Sequence, residues 1–183
     1  MVQWQQIGSP SETKVGRRTV SEIQWRFPNG REFPFYTIGR QGDEAAAIFA
    51  LTPENELVIS EQFRPGPGQS MAELPGGFSD LGEDPETVAK RELLEETGYQ
   101  PARMVYLGHA YKEAYHHLKV HYFIGYDCRK VAEPQPESTE YIEVKKMSVG
   151  QFLEVARGGG TTELGALFLA YDTLKKIQEE EER

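Results

Sequence analysis

The chain has 183 residues, 38% of them hydrophobic and 11% aromatic, which suits one folded domain over residues 1–183 with a substantial core. Its formal net charge of −9 argues against general binding to nucleic acid or to an anionic membrane. No stretch approaches the run of ~18 apolar residues that a membrane span needs, and the N-terminal MVQWQQIGSPSETK lacks the basic-then-apolar pattern of a signal peptide. The single cysteine, Cys128, has no internal disulfide partner, so a reducing, cytoplasmic setting is expected. A small anionic ligand stays compatible with the acidic balance, because a bound Mg²⁺ inverts the local charge.

Residues 16–39 read as two strands around the turn Pro28-Asn29-Gly30. EAAAIFALT and ELVISEQF read as two more, joined at Pro53-Glu54-Asn55. In RPGPGQS, the prolines and glycines predict a loop. Asp84-Pro85 then has the chemistry of a helix start: Asp as N-cap, Pro at the first helical position and Glu86 in the first turn. Gly98 is a natural stop, so the spacing predicts a helix over Pro85–Thr97. ARMVYLGHAY and KVHYFIGYDC read as strands, AEPQPEST as a loop and YIEVKKMS as a short strand. VGQFLEVAR and ELGALFLAYDTLKKIQEE read as helices, the second with Leu164, Leu167, Phe168, Tyr171 and Leu174 at helical spacing as a core or dimer-contact stripe. Strands first, a helix in the middle and helices at the end give an α+β fold with a mixed sheet.

The central helix carries the chemistry. Glu92 and Glu96 are four apart and Glu92 and Glu95 three apart, so three like charges share neighbouring faces and repel. Arg91, four residues from Glu95, relieves part of that repulsion but cannot neutralise three carboxylates and Glu83. Hard oxygen ligands on one rigid surface suit Mg²⁺ or Mn²⁺, which bind a few carboxylates plus substrate phosphates. The preceding Pro75-Gly76-Gly77 lets the backbone approach such ions.

Gly77, five residues, Glu83, seven residues, then Arg91-Glu92-Leu93-Leu94-Glu95-Glu96-Thr97-Gly98 resembles the Nudix box, G-x5-E-x7-R-E-U-x-E-E-x-G-U, over residues 77–99. All seven fixed positions match, an agreement that composition alone would give at one start in roughly 10⁸. Tyr99 stands where the pattern has an aliphatic residue. The resemblance implies an α/β/α sandwich with a loop-helix-loop catalytic motif, and metal-dependent hydrolysis of a nucleoside diphosphate linked to another group. It implies Glu92 and Glu96 as principal metal ligands, Glu95 as a further ligand, Glu95 and Arg91 with catalytic roles, Glu83 on the metal side in support of that shell, and the carbonyl of Gly76 as a backbone ligand. Mg²⁺ is the expected cofactor, with Mn²⁺ as a substitute. Such ions neutralise the pyrophosphate and lower the pKa of a bound water, and attack at phosphorus then needs mainly positioning.

Upstream, EQFRPGPG and ELPGG are similar to the ADP-ribose and nucleotide-sugar pyrophosphatase branch. By that resemblance Arg64 contacts substrate phosphate and Glu73 is an acid on the substrate or metal side. The loop after the box would supply the general base: Glu140 by position, with Glu137 and Glu143 as rivals. Phe33 and Phe35 lie in the N-terminal strands (residues 1–40), which in that branch build a homodimer and hold the base; packing is the alternative role for both rings. One departure bears on specificity: Tyr115 stands where ADP-ribose hydrolases of this branch often have proline. ADP-ribose, giving AMP and ribose 5-phosphate, is the expected substrate; GDP-mannose, a dinucleoside polyphosphate or a nucleoside triphosphate are the alternatives, and a non-catalytic ligand sensor is the alternative of another class. His116, His117 and His121 offer substrate contact or metal ligation, with 117 and 121 four apart on one strand face, but Mg²⁺ prefers oxygen.

Overall fold

The computed structural model describes residues 3–181. They fall into two compact units. One takes the chain up to Glu44 together with Tyr111–Lys119; the other takes Ala45–Ala110 and the residues from Val120 onward.

The first unit is a three-stranded antiparallel sheet of β1 (Gln5–Val15), β2 (Arg18–Arg26) and β3 (Glu32–Ile38), in that order. The turn at Pro28–Gly30 joins β2 to β3 as expected, with Gly30 at φ 83°. β1 was not expected. Its residues are mostly exposed and its register slips between Ile7 and Ser11, so no alternation marks it as a strand. Trp4, Phe27 and Phe35 form a ring cluster with centroids 4.5–6.2 Å apart, and Phe33 stacks edge-on to Phe35 at 6.4 Å while staying half exposed.

The second unit holds a mixed seven-stranded sheet. In chain order its strands are β4 (Glu44–Leu51), β5 (Leu57–Arg64), β6 (Gln69–Glu73), β7 (Gly76–Phe78), β9 (Arg103–Tyr111), β10 (Lys119–Tyr126) and β12 (Ile142–Met147); β8 (Tyr99–Gln100) and β11 (Arg129–Lys130) pair separately. The spatial order is β12-β5-β4-β10-β9, with β6 on β5 and β7 on β4. The helices are α1 (Pro85–Thr97), α2 (Val149–Arg157) and α3 (Leu164–Glu181). β4 is buried along almost its whole length because both its faces are covered. Ala46, Ile48 and Ala50 pack with Val88, Ala89 and Leu93 of α1, while Phe49, on the opposite face, meets Phe152 of α2 edge-on at 6.1 Å. Helices therefore cover both faces of an α+β layered sheet.

Two expectations need correction. RPGPGQS is not loop throughout: Gly68, at φ 70°, donates its N–H to the Arg64 carbonyl, which closes a tight turn, and β6 starts at Gln69 opposite Arg64. The stripe on α3 also divides. Leu167 and Leu174 are buried with Ala166, Ala170 and Ile177, but Leu164 and Phe168 face outward. Small residues let α3 approach β9 on a face rotated from the large-residue stripe; Gly165 sits against Ala110 and Leu169 against Gly108. Among the described residues no helix is long and apolar enough to cross a membrane.

α1 forms where the sequence put it. The Asp84 carboxylate accepts from the N–H groups of Glu86 and Thr87, and Gly98 ends the helix at φ 77° by donating to the Leu94 carbonyl. A Cβ at Gly98 would lie 2.1 Å from the Ala132 carbonyl oxygen. Gly98→Ala therefore combines left-handed strain with a backbone collision and is expected to cost about 2–3 kcal/mol. A drop in the urea midpoint with an unchanged slope checks this; an unchanged midpoint refutes it.

Candidate active site

Three strands and one helix converge on the acidic cluster. β7 brings Gly76 and Gly77 against α1, so closely that a Cβ on Gly77 would meet the Glu92 carboxylate at 2.4 Å. β5 brings Ser60 and Arg64, and β6 brings Glu73.

The box carboxylates divide into two groups. Arg91 gathers the first: its Nη2 and Nε donate to Glu83 at 3.1 Å each, and its Nη1 donates to Glu92 at 2.7 Å and to Glu95 at 3.1 Å. Arg91 also donates to the Phe78 carbonyl, tying the loop before α1 to the helix. Glu83 is consequently held below the ordinary carboxylate range, by Arg91 first and by the Asp80 N–H. Glu95 is half exposed. Glu96 stands apart from Arg91 in a buried site, where its Oε2 accepts from the Ser60 hydroxyl at 2.7 Å and from the Gly76 N–H at 3.3 Å. Burial, with the charges of Glu92 and Glu140, pushes Glu96 up to about 8. Glu92 is raised as well, by burial first, against the pull of Arg91.

This arrangement tests the expected metal site. Among the described residues no three His, Cys, Asp or Glu side chains close around a common point, because Arg91 holds one subset while Ser60 and Gly76 hold Glu96. In this arrangement Arg91 stands between Glu83, Glu92 and Glu95, and Glu96 lies on the Ser60 and Gly76 side. The donor chemistry still fits a hard divalent ion. Every group is an oxygen donor, the guanidinium already occupies a cation's place between Glu83, Glu92 and Glu95, and the buried Glu96 lies within the field of Glu92 with no cation among its described hydrogen-bond donors.

Arg64 and Glu73 are found together. The guanidinium of Arg64 donates through Nε at 2.7 Å and through Nη2 to Glu73 Oε2, while the Thr162 hydroxyl donates to Glu73 Oε1 at 2.9 Å. Glu73 is buried and both its oxygens are occupied. Among the described hydrogen bonds none uses Arg64 Nη1, and the charges acting on the guanidinium are those of Glu73, Glu96 and Glu140.

Among the loop acids, Glu140 is the one whose charge stands among the main influences on Glu92, Glu96 and Arg64. It is fixed by its own turn: its N–H donates to the Glu137 carbonyl and its Oε2 accepts from the Glu137 N–H. Glu137 is exposed, and Glu143 lies on the exposed side of β12 beside Lys145. The histidines do not share a strand face. His117 precedes β10 and its Nε2 meets the Thr37 hydroxyl at 2.7 Å, whereas His121 is within β10 and meets the Tyr106 hydroxyl at 3.0 Å. Tyr115 is exposed in the segment before β10. The residues that the sequence did not single out are Ser60 and Thr162. A hydroxyl within the aliphatic run Leu57-Val58-Ile59 was the one available signal for the first.

The model of the NUDIX domain matches residues 42–163, about two thirds of the chain. The chain belongs to the Nudix family. A methanol dehydrogenase activator of Bacillus methanolicus is 37% identical over 94 residues, 51% of this Nudix chain and 49% of the relative. An ADP-ribose pyrophosphatase of Bacillus subtilis is 28% identical over 130 residues, 70% of this chain and 69% of that one. The first match thus spans about half of the relative's length. Among solved structures, the crystal structure of an ADP compounds hydrolase superposes with a TM-score of 0.72 at 18% identity, over 93% of this chain and 96% of the other, and so supports the Nudix fold.

Proposed function

We propose that this chain is a Mg²⁺-dependent pyrophosphatase that hydrolyses ADP-ribose to AMP and ribose 5-phosphate. The observation that carries the reading is the neighbourhood of Arg64: a guanidinium braced by Glu73 whose field is shared with Glu96 and Glu140. A fixed cation beside metal-binding carboxylates suits a diphosphate, with Arg64 Nη1 as the donor to phosphate oxygen. Glu92 and Glu96, with Glu95 and the Gly76 carbonyl, would hold the metal, and Arg91 and Glu83 would brace Glu92 and Glu95. A divalent ion held there would supply charge neutralisation of the pyrophosphate and a more acidic water. Glu140 takes the proton of the attacking water, and its anchoring in the Glu137–Glu140 turn limits its wandering. The water oxygen bonds to one phosphorus as the bridging P–O bond breaks.

The relatives named above favour ADP-ribose among nucleoside diphosphate sugars. Tyr115 in place of proline leaves a different sugar nucleotide such as GDP-mannose as the second reading. The same reading takes residues 1–183 as one functional Nudix unit in the cytoplasm. It also places a homodimer contact on the N-terminal sheet, where Trp4, Phe33 and Tyr36 are exposed aromatic surface, and Phe33 or Phe35 against the nucleobase.

A chromatographic assay with Mg²⁺ over ADP-ribose, ADP-glucose, GDP-mannose, a diadenosine polyphosphate and dGTP tests it. AMP appearing fastest from ADP-ribose supports the proposal. A faster rival substrate removes the ADP-ribose assignment, and ligand binding without turnover points to the sensor instead.

A further inference from the structure

Ser60 is a fully buried hydroxyl that directly follows the aliphatic run Leu57-Val58-Ile59 of β5. Leu57, Val58, Ile59 and Ser60 are all fully buried, and side-chain alternation puts Ser60 on the same face as Val58, the residue that packs with Val88, Ala89 and Leu93 of α1. In the sheet it pairs with Glu73 of β6 on one side and Val144 of β12 on the other. An aliphatic side chain would extend the apolar contact with α1. The serine instead donates to Glu96 Oε2 at 2.7 Å, in a site where an unpartnered hydroxyl would be costly. The Gly76 N–H reaches the same oxygen at 3.3 Å. None of the described hydrogen bonds falls on Oε1.

We propose that Ser60 is a positioning residue for the metal site: with the Gly76 N–H it fixes Glu96 through Oε2 and so presents Oε1 to the divalent cation. The inference rests on the metal reading given under Proposed function. Glu96 is the box carboxylate that Arg91 does not hold, so its orientation depends on β5 and β7 rather than on its own helix. A hydroxyl donor suits this task better than a cation would, because it fixes one oxygen without neutralising the charge that attracts the metal. Hydrogen bonds to the ligands of a metal commonly carry about 10–100-fold in affinity.

The test is Mn²⁺ binding to the full chain, read from the electron paramagnetic resonance signal of free Mn²⁺. It is run without substrate on wild type, Ser60→Ala, Glu96→Gln and the double variant, with near-ultraviolet circular dichroism confirming that each is folded. The expected result is about 10–100-fold weaker binding in Ser60→Ala, with no further loss when the same change is made in the Glu96→Gln background. Wild-type affinity in Ser60→Ala overturns the proposal. So does an equal loss in both backgrounds, because Ser60 would then act on the fold rather than through Glu96. Wild-type affinity in Glu96→Gln overturns the metal reading itself, an outcome distinct from a failure confined to Ser60. Misfolding of Ser60→Ala shifts the test to Ser60→Cys, which keeps the size and weakens the donor, with the same expected direction and the same overturning results.

Discussion

Glu96→Gln is expected to lower turnover by about 10³-fold while making the metal-free protein more stable at neutral and alkaline pH. The two effects have one cause. Glu96 is buried beside Glu92 and within the field of Glu140, and its carboxyl is raised from 4.5 to about 8. The folded state therefore keeps a proton that the unfolded chain has already released. In that window the native state binds more protons, so the metal-free protein loses stability as pH rises from 4.5 to about 8. Glu92, also raised, adds to the same slope. Glutamine removes the titration and still accepts from the Ser60 hydroxyl and the Gly76 N–H. Urea midpoints in a chelator, measured below and above the window, should fall for wild type and fall less for the variant. Parallel slopes would refute the electrostatic account, and wild-type turnover would refute the catalytic one.

Glu140→Gln is expected to lower kcat by roughly 10²–10⁴-fold with little change in KM or in Mn²⁺ affinity. The reason is placement. Glu140 is the loop acid whose charge reaches Glu92, Glu96 and Arg64, and it is held in its turn by the Glu137 N–H. Glu143→Gln and Glu137→Gln serve as comparisons, since Glu143 lies beside Lys145 on the exposed side of β12 and Glu137 is exposed. Steady-state kinetics across pH decide the matter, because loss of a general base removes the acidic limb of the kcat profile as well as lowering its plateau. A larger loss in either comparison variant would move the role to that residue.

The division of the box carboxylates ties the two expectations together. Glu83, Glu92 and Glu95 share Arg91, so their charge is partly compensated before any metal binds. Among the described residues Glu96 has only neutral donors, and it carries the larger departure from ordinary carboxylate behaviour. Metal binding should therefore affect the environment of Glu96 more than that of Glu83.

Helix α1, its two caps and the spacing of Glu83, Arg91, Glu92, Glu95 and Glu96 were determined by the sequence itself, because an N-cap, a stop glycine and an i,i+4 face are set by residues within a few positions of one another. The same holds for β4, β5 and the β2–β3 hairpin, whose buried runs and turn residues are contiguous. β1 was illegible because its exposed residues take their order from pairing with β2, and β6 because the turn that returns it to β5 closes through Gly68. The buried face of α3 was set by where Gly108 and Ala110 let it approach β9, so large side chains at helical spacing misreport it. Only the tertiary structure decided which partner each carboxylate has: Arg91 for three, Ser60 and Gly76 for Glu96, Arg64 and Thr162 for Glu73. Ser60 and Glu96 are 36 residues apart and Thr162 and Glu73 are 89 apart. Local periodicity carries no information over such distances; sheet register and helix packing supply it.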